Sequence, residues 1–160
     1  MKTQSRSLDD ARPELAAKVR ELMAEYARRF APWSLMITSV WRSPLVQEAL
    51  YCQGRVPRIE LNAVRERAGM APIYNEQEAA RVVTWTRTSR HNRTPSEAVD
   101  LAVTIDPDGP EGPLKPRIDW HTASRYEAMG EIAKRLGLSW GGEWVRQRDL
   151  CHVELLKEGR

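Results

Sequence analysis

Three short runs of β-favouring residues, 35–40, 98–105 and 151–156, stand far apart in the chain, and the intervals between them carry helical periodicity. A sheet built from these runs must draw its strands from distant parts of the sequence. No βαβ unit repeats, which argues against a doubly wound parallel sheet. The pattern predicts an α+β fold, a small antiparallel β-sheet flanked by helices. At 160 residues the chain is long enough to bury one core and too short for two typical ones, so residues 1–160 are expected to form a single domain.

Local signals place the helices. Ser7, Asp9 and Asp10 supply helix-start chemistry, and Leu15, Val19, Leu22, Met23 and Tyr26 follow at helical spacing to about Phe30, before Pro32 ends the run. Ser43 and Pro44 open a second helix that reaches about Gln53. Shorter helices are expected at 61–68, closed by Gly69, and at 75–80, capped by Asn75. Residues 82–86 are a strand candidate, 106–116 a surface loop rich in Pro, Gly and Asp, and 122–136 a helix followed by Gly137 in the left-handed cap position.

Composition bounds the partners. The 25 basic and 22 acidic residues are spread along the chain and leave a net charge of +3 and a pI near 9.1. That mild bias favours anionic surroundings without choosing between nucleic acid and a bacterial wall. No basic stripe or nucleic-acid motif is present, so no nucleic-acid partner is expected. A hydrophobic fraction of 41% with six Trp argues for a folded chain. No segment approaches the roughly 20 apolar residues of a membrane span, so stable membrane insertion is not expected. Residues 1–31 are charged throughout and lack the apolar run of a secretory signal. Cys52 and Cys151 are too few for a disulfide framework and read as reduced thiols. The expectation is a monomer made in the bacterial cytoplasm.

A hydrolytic zinc centre needs three protein ligands, an open position for water and a nearby base. His91 and Asp100 lie either side of a turn entering a strand, and His152 lies on another strand with Asp149 three residues before it. Taken singly, a histidine is more often structural, and Arg42 reads equally well as an ion pair near a helix start. His121, beside Trp120 and just before a helix, reads as capping or packing. Trp140 and Trp144 either wall a binding cleft or pack around Gly141 and Gly142. Glu154 points the same way as His152 on its strand, either to support that histidine or to form a surface ion pair.

Four segments decide among these readings. They are Ile37-Thr38-Ser39-Val40-Trp41-Arg42-Ser43 with Gln47 and Leu50-Tyr51-Cys52-Gln53-Gly54-Arg55; Ser89-Arg90-His91-Asn92; Ala98-Val99-Asp100-Leu101; and Gly137-Leu138-Ser139-Trp140-Gly141-Gly142-Glu143-Trp144 followed by Asp149-Leu150-Cys151-His152-Val153-Glu154. In this order they resemble the zinc D-Ala-D-Ala carboxypeptidase and L-alanyl-D-glutamate endopeptidase family, especially its phage endolysin branch. The resemblance implies a Hedgehog/DD-peptidase-like fold, zinc held by His91, Asp100 and His152, water activated by Asp149, and Arg42 facing the scissile carbonyl. It also implies that Ser89 lines the substrate cleft, where Gln47 and Trp140 are expected to join it.

The implied activity is zinc-dependent hydrolysis of the L-alanyl-D-glutamate bond in the peptidoglycan stem peptide. The alternatives are a D-Ala-D-Ala carboxypeptidase of the same family, or a non-catalytic wall-binding or phage structural module. Action on the wall from the cytoplasm would rely on a separate membrane-permeabilising protein. The chain departs from the family pattern in three places. The stretch from His91 to Asp100 is two residues longer than usual, with the extra residues around Arg93-Thr94-Pro95. Ser96 stands where a glycine is usual, and Cys151 where proline is common. As a strand neighbour of His152, Cys151 points to the opposite face and is expected to be a buried, inert thiol.

Overall fold

A computed structural model describes residues 2–106 and 115–157; most of the loop expected at 106–116 lies outside the described residues. Strand β1 (Gln4–Ser5) leads into one 3-10 turn, Leu8–Asp10, capped by the Ser7 side chain. The helix-start chemistry at 7–10 therefore makes only this turn. Arg12 is extended, and its N–H donates to Ser96 O at 2.8 Å, which interrupts the helical ladder. Helix α1 (Pro13–Phe30) starts afresh with Pro13 in its first turn, where a missing N–H is harmless. Strands β2 (Trp33–Ser39) and β3 (Trp41–Arg42) follow.

Helix α2 (Pro44–Cys52) carries the expected proline at its start, with the Ser43 hydroxyl accepting Val46 N–H. Helix α3 (Arg58–Arg67) begins three residues before the expected 61, and α4 (Glu76–Ala79) is capped by Asn75. Residues 82–86 form no strand. The buried Gln47 amide donates to Thr84 Oγ1 and Thr86 O, so this segment is held by a side chain instead of a sheet ladder. A 3-10 turn, Arg90–Asn92, precedes β4 (Ala98–Ile105). Next come β5 (Arg117–Asp119), α5 (Ala123–Arg135), β6 (Leu138–Trp140), a 3-10 turn Gly141–Glu143, and β7 (His152–Leu155).

The main sheet runs in the order β2-β4-β7-β6, with β5 beside the C-terminal half of β4, and every pairing is antiparallel. This is the expected α+β architecture. Strand β4 lies at its centre because its Val99, Leu101 and Val103 join one core with Leu15, Val19, Leu22 and Tyr26 of α1 and Tyr126, Met129 and Ile132 of α5. The period of two then turns Asp100 to the face away from those helices. In β7, Val153 and Leu155 enter the same core, so His152 and Glu154 share the other face. Among the described residues no helix is long and apolar enough to cross a membrane.

Candidate active site

Register brings the first two functional groups together. Asp100 pairs directly with His152 across β4 and β7, and with Ser39 across β4 and β2. Directly opposite residues on one sheet face have neighbouring side chains. His91 arrives from the 3-10 turn, whose start is a capping box: the Ser89 hydroxyl accepts His91 N–H, and the Asn92 side chain accepts Ser89 N–H. The two extra residues do not disturb this arrangement. Arg93, Thr94 and Pro95 are exposed, and the chain closes again at Ser96, which is fully buried with its hydroxyl donating to Val40 O at 2.7 Å. The insertion therefore bulges outward.

Asp100 Oδ1 lies 3.1 Å from His91 Nε2 and 3.0 Å from His152 Nδ1. The remaining ring nitrogens fix the tautomers. His91 Nδ1 lies 2.6 Å from Val40 O, and a carbonyl only accepts, so the hydrogen is on Nδ1 and Nε2 keeps its lone pair. His152 Nε2 donates to Glu154 Oε2 at 3.0 Å, so the neutral ring carries its lone pair on Nδ1. Two nitrogen lone pairs and a carboxylate oxygen therefore converge, all within 4.8 Å of one another. Three acceptors facing one another repel unless a cation or proton lies between them, and two imidazoles with one carboxylate are a donor set suited to zinc.

Electrostatics carry the same signature. Burial works to raise the Asp100 pKa, but the neighbouring His91, Arg42 and His152 outweigh it and hold the carboxyl well below its ordinary range. Burial opposes charge on His152 too, yet hydrogen bonds to Asp100 and Glu154 push its pKa up to about 9. Asp149 faces solvent, with Oδ1 accepting Cys151 N–H at 3.2 Å. The protein packed around it and the neighbouring Asp100 charge raise its pKa. A carboxyl with a raised pKa beside a converging metal set is suited to moving protons. Gly141 sets its place, since its carbonyl accepts Asp149 N–H, and a Cβ there would meet Asp149 O at 2.5 Å.

The other expected site residues are placed differently. Arg42 lies in the site, where it pairs with Asp100 Oδ2 and donates to Ser39 Oγ. Ser89 is spent on the turn that presents His91. Gln47 is fully buried, so it holds the 84–86 segment and has no surface to offer a substrate. Trp140 is likewise corrected from cleft to core. It is 4% exposed, packs against Gly130 and Gly142, and donates from Nε1 to Leu150 O. Trp144 is the tryptophan beside the centre, its ring 5.0 Å from that of His152. Burial pushes the Cys151 thiol up to about 12, in keeping with an inert group beside the core.

Sequence reasoning missed Arg90. Its guanidinium reaches Glu154, Leu155 O and Glu97. It thus ties the turn carrying His91 to the strand carrying His152. Adjacency to His91 was the only signal in the sequence. Two clefts flank the centre. One of about 400 Å³ is lined by Trp85, Trp144 and Asp149, and one of about 480 Å³ by Arg6, Arg42 and Asp100.

A family model described as D-alanyl-D-alanine carboxypeptidase matches residues 82–155, the stretch that holds all three candidate ligands and Asp149. The match takes in just under half of the chain. The Bacillus subtilis peptidoglycan L-alanyl-D-glutamate endopeptidase CwlK is 28% identical over 129 residues, covering 76% of this chain and 60% of that protein. The chain thus spans well under two thirds of the length of this curated relative. The crystal structure of the Serratia marcescens L-Ala D-Glu endopeptidase ChiX matches with a TM-score of 0.53 at 21% identity, over 98% of this chain and 90% of that one. The fold of that protein is therefore shared along almost the whole length.

Proposed function

We propose that the chain is a zinc-dependent endopeptidase that hydrolyses the L-alanyl-D-glutamate bond of the peptidoglycan stem peptide. The observation that carries this reading is the convergence of His91 Nε2, Asp100 Oδ1 and His152 Nδ1 beside Asp149. Zinc held there would lower the pKa of a water toward neutrality and polarise the peptide carbonyl. Asp149 takes the proton of the attacking water and returns it to the leaving amine. Arg42 steadies Asp100 through Oδ2 and brings positive charge to the side where the carbonyl oxygen becomes negative.

Clefts on both sides of Asp100 favour an internal bond over a terminal one. A carboxypeptidase needs one end closed around the terminal carboxylate. The relationship to CwlK and the fold shared with ChiX support the same bond. Action at the wall as a phage lysin, with a separate membrane-permeabilising protein, rests on resemblance to the endolysin branch.

The test is digestion of purified peptidoglycan by the protein with and without chelator, beside Asp149→Ala, reading fragments by mass and new amino termini. New D-Glu amino termini, lost with chelator and in the variant, are expected. Release of terminal D-Ala instead would move the specificity to carboxypeptidase. No cleavage by the folded, zinc-loaded chain would favour the binding module.

A further inference from the structure

The two clefts beside the metal ligands differ in chemistry. The cleft on the Asp149 side is walled by two indoles, Trp85 at 58% and Trp144 at 36% exposure. Arg148 also lines that cleft, its Nε donating to Gly142 O, whereas the cleft on the other side is lined by Arg6, Arg42 and Asp100 and, among the described residues, by no aromatic ring. Trp85 is exposed yet held. Arg55 lies over it, its guanidinium carbon 5.5 Å from the Trp85 ring and 4.1 Å from the Tyr51 ring. Gln47, with no exposed surface of its own, donates to both neighbours of Trp85, to the Thr84 hydroxyl and to the Thr86 carbonyl. Together Trp85 and Trp144 give one cleft two exposed indole faces beside Asp149, a surface suited to stacking on a ligand.

The substrate shows the same asymmetry. In an L-alanyl-D-glutamyl stem peptide, the alanine is joined through a lactyl ether to an N-acetylated amino sugar, so a saccharide ring lies one residue from the scissile bond. Beyond that bond, the D-glutamate continues through its γ-carboxyl and leaves its α-carboxylate free. One side of the bond is therefore a sugar and the other an anion. Sugar rings stack their C–H faces on aromatic rings, and carboxylates pair with arginine.

We propose that the Trp85–Trp144 cleft is a saccharide subsite that takes the N-acetylated amino sugar carrying the stem peptide, which orients the substrate with its D-glutamate carboxylate toward Arg6 and Arg42. This rests on the endopeptidase reading above. The cleft volume of about 400 Å³ lies within the range of roughly 300–1,000 Å³ usual for small-ligand sites.

The test compares cleavage of two substrates, a disaccharide-linked stem peptide and the same peptide without sugar. The wild-type protein is expected to prefer the disaccharide-linked form. Trp85→Ala should erode that preference about tenfold through KM, as expected for losing one stacked ring, and Trp85→Tyr should restore most of it. An equal change on both substrates would overturn the subsite. Titration of the peptide-free disaccharide into Asp149→Asn, followed at the indole N–H resonances, keeps the two readings separable. Shifts at Trp85 and Trp144 support the subsite even if neither substrate is cut, and no shift at millimolar sugar overturns it even if both are.

Discussion

His152 is held from both ends, by Asp100 at Nδ1 and by Glu154 at Nε2, and Glu154 is itself held by Arg90. Loss of such a support typically weakens metal binding about 10- to 100-fold. Glu154→Gln should show that loss in a chelator-competition assay. Asp149→Asn, whose side chain is not a ligand, should keep zinc affinity while kcat falls on the order of 10²- to 10⁴-fold. Zinc binding at the proposed site should also depend on pH. In the metal-free protein the His152 pKa lies near 9 against an ordinary 6.5, so its contribution to stability is present below 6.5 and lost as pH rises through 9. Zinc must displace that proton, so apparent affinity should climb from pH 6.5 to about 9 and then level off in titrations at fixed pH.

Helix α5 and the turn after β6 meet at one tryptophan. A Cβ built on Gly130 would lie 2.3 Å from the Trp140 ring, and one on Gly142 2.1 Å from it. By helix propensity, Gly130→Ala should stabilise the chain by about 1 kcal/mol. Packing reverses the sign, because the buried indole is fixed by its bond to Leu150 O and cannot retreat without strain. A lower urea midpoint for Gly130→Ala is the expected result; a higher one would mean that Trp140 moves freely. Trp140→Ala should lower it further, by about 3–5 kcal/mol for a buried aromatic truncation.

Across the molecule, the candidate centre joins three separate pieces, the turn Arg90–Asn92, β4 and β7. An ion bound by all three favours the folded state, by about 2.7 kcal/mol when present at a hundred times its Kd. Added zinc should therefore raise the Tm, chelator should reverse the rise, and His91→Ala should abolish it while leaving a folded chain.

The fold class was legible because three isolated β-favouring runs with helices between them admit few arrangements, and 98–105, read as a strand from its alternation, became the central one. His91, Asp100, Asp149 and His152 could be proposed from the sequence because the segments carrying them resemble the family's motifs in order and at near-usual spacings, with two extra residues between His91 and Asp100. Such spacings do not say which side chains reach solvent. Gln47 and Trp140 share the motif segments with Arg42 and Trp144, and only packing sent the first two inward. The segment 82–86 looked like a strand, since β-favouring residues carry no record of whether a ladder partner is available. There, one amide from α2 took the partner's place. Arg90 carried no signal beyond its place next to His91, because its work depends on Glu97, Glu154 and Leu155, which the fold places beside it and the sequence keeps as many as 65 residues away. The sequence by itself determined which groups are candidates for the chemistry, and tertiary structure alone decided which of their neighbours hold them and which stay exposed beside them.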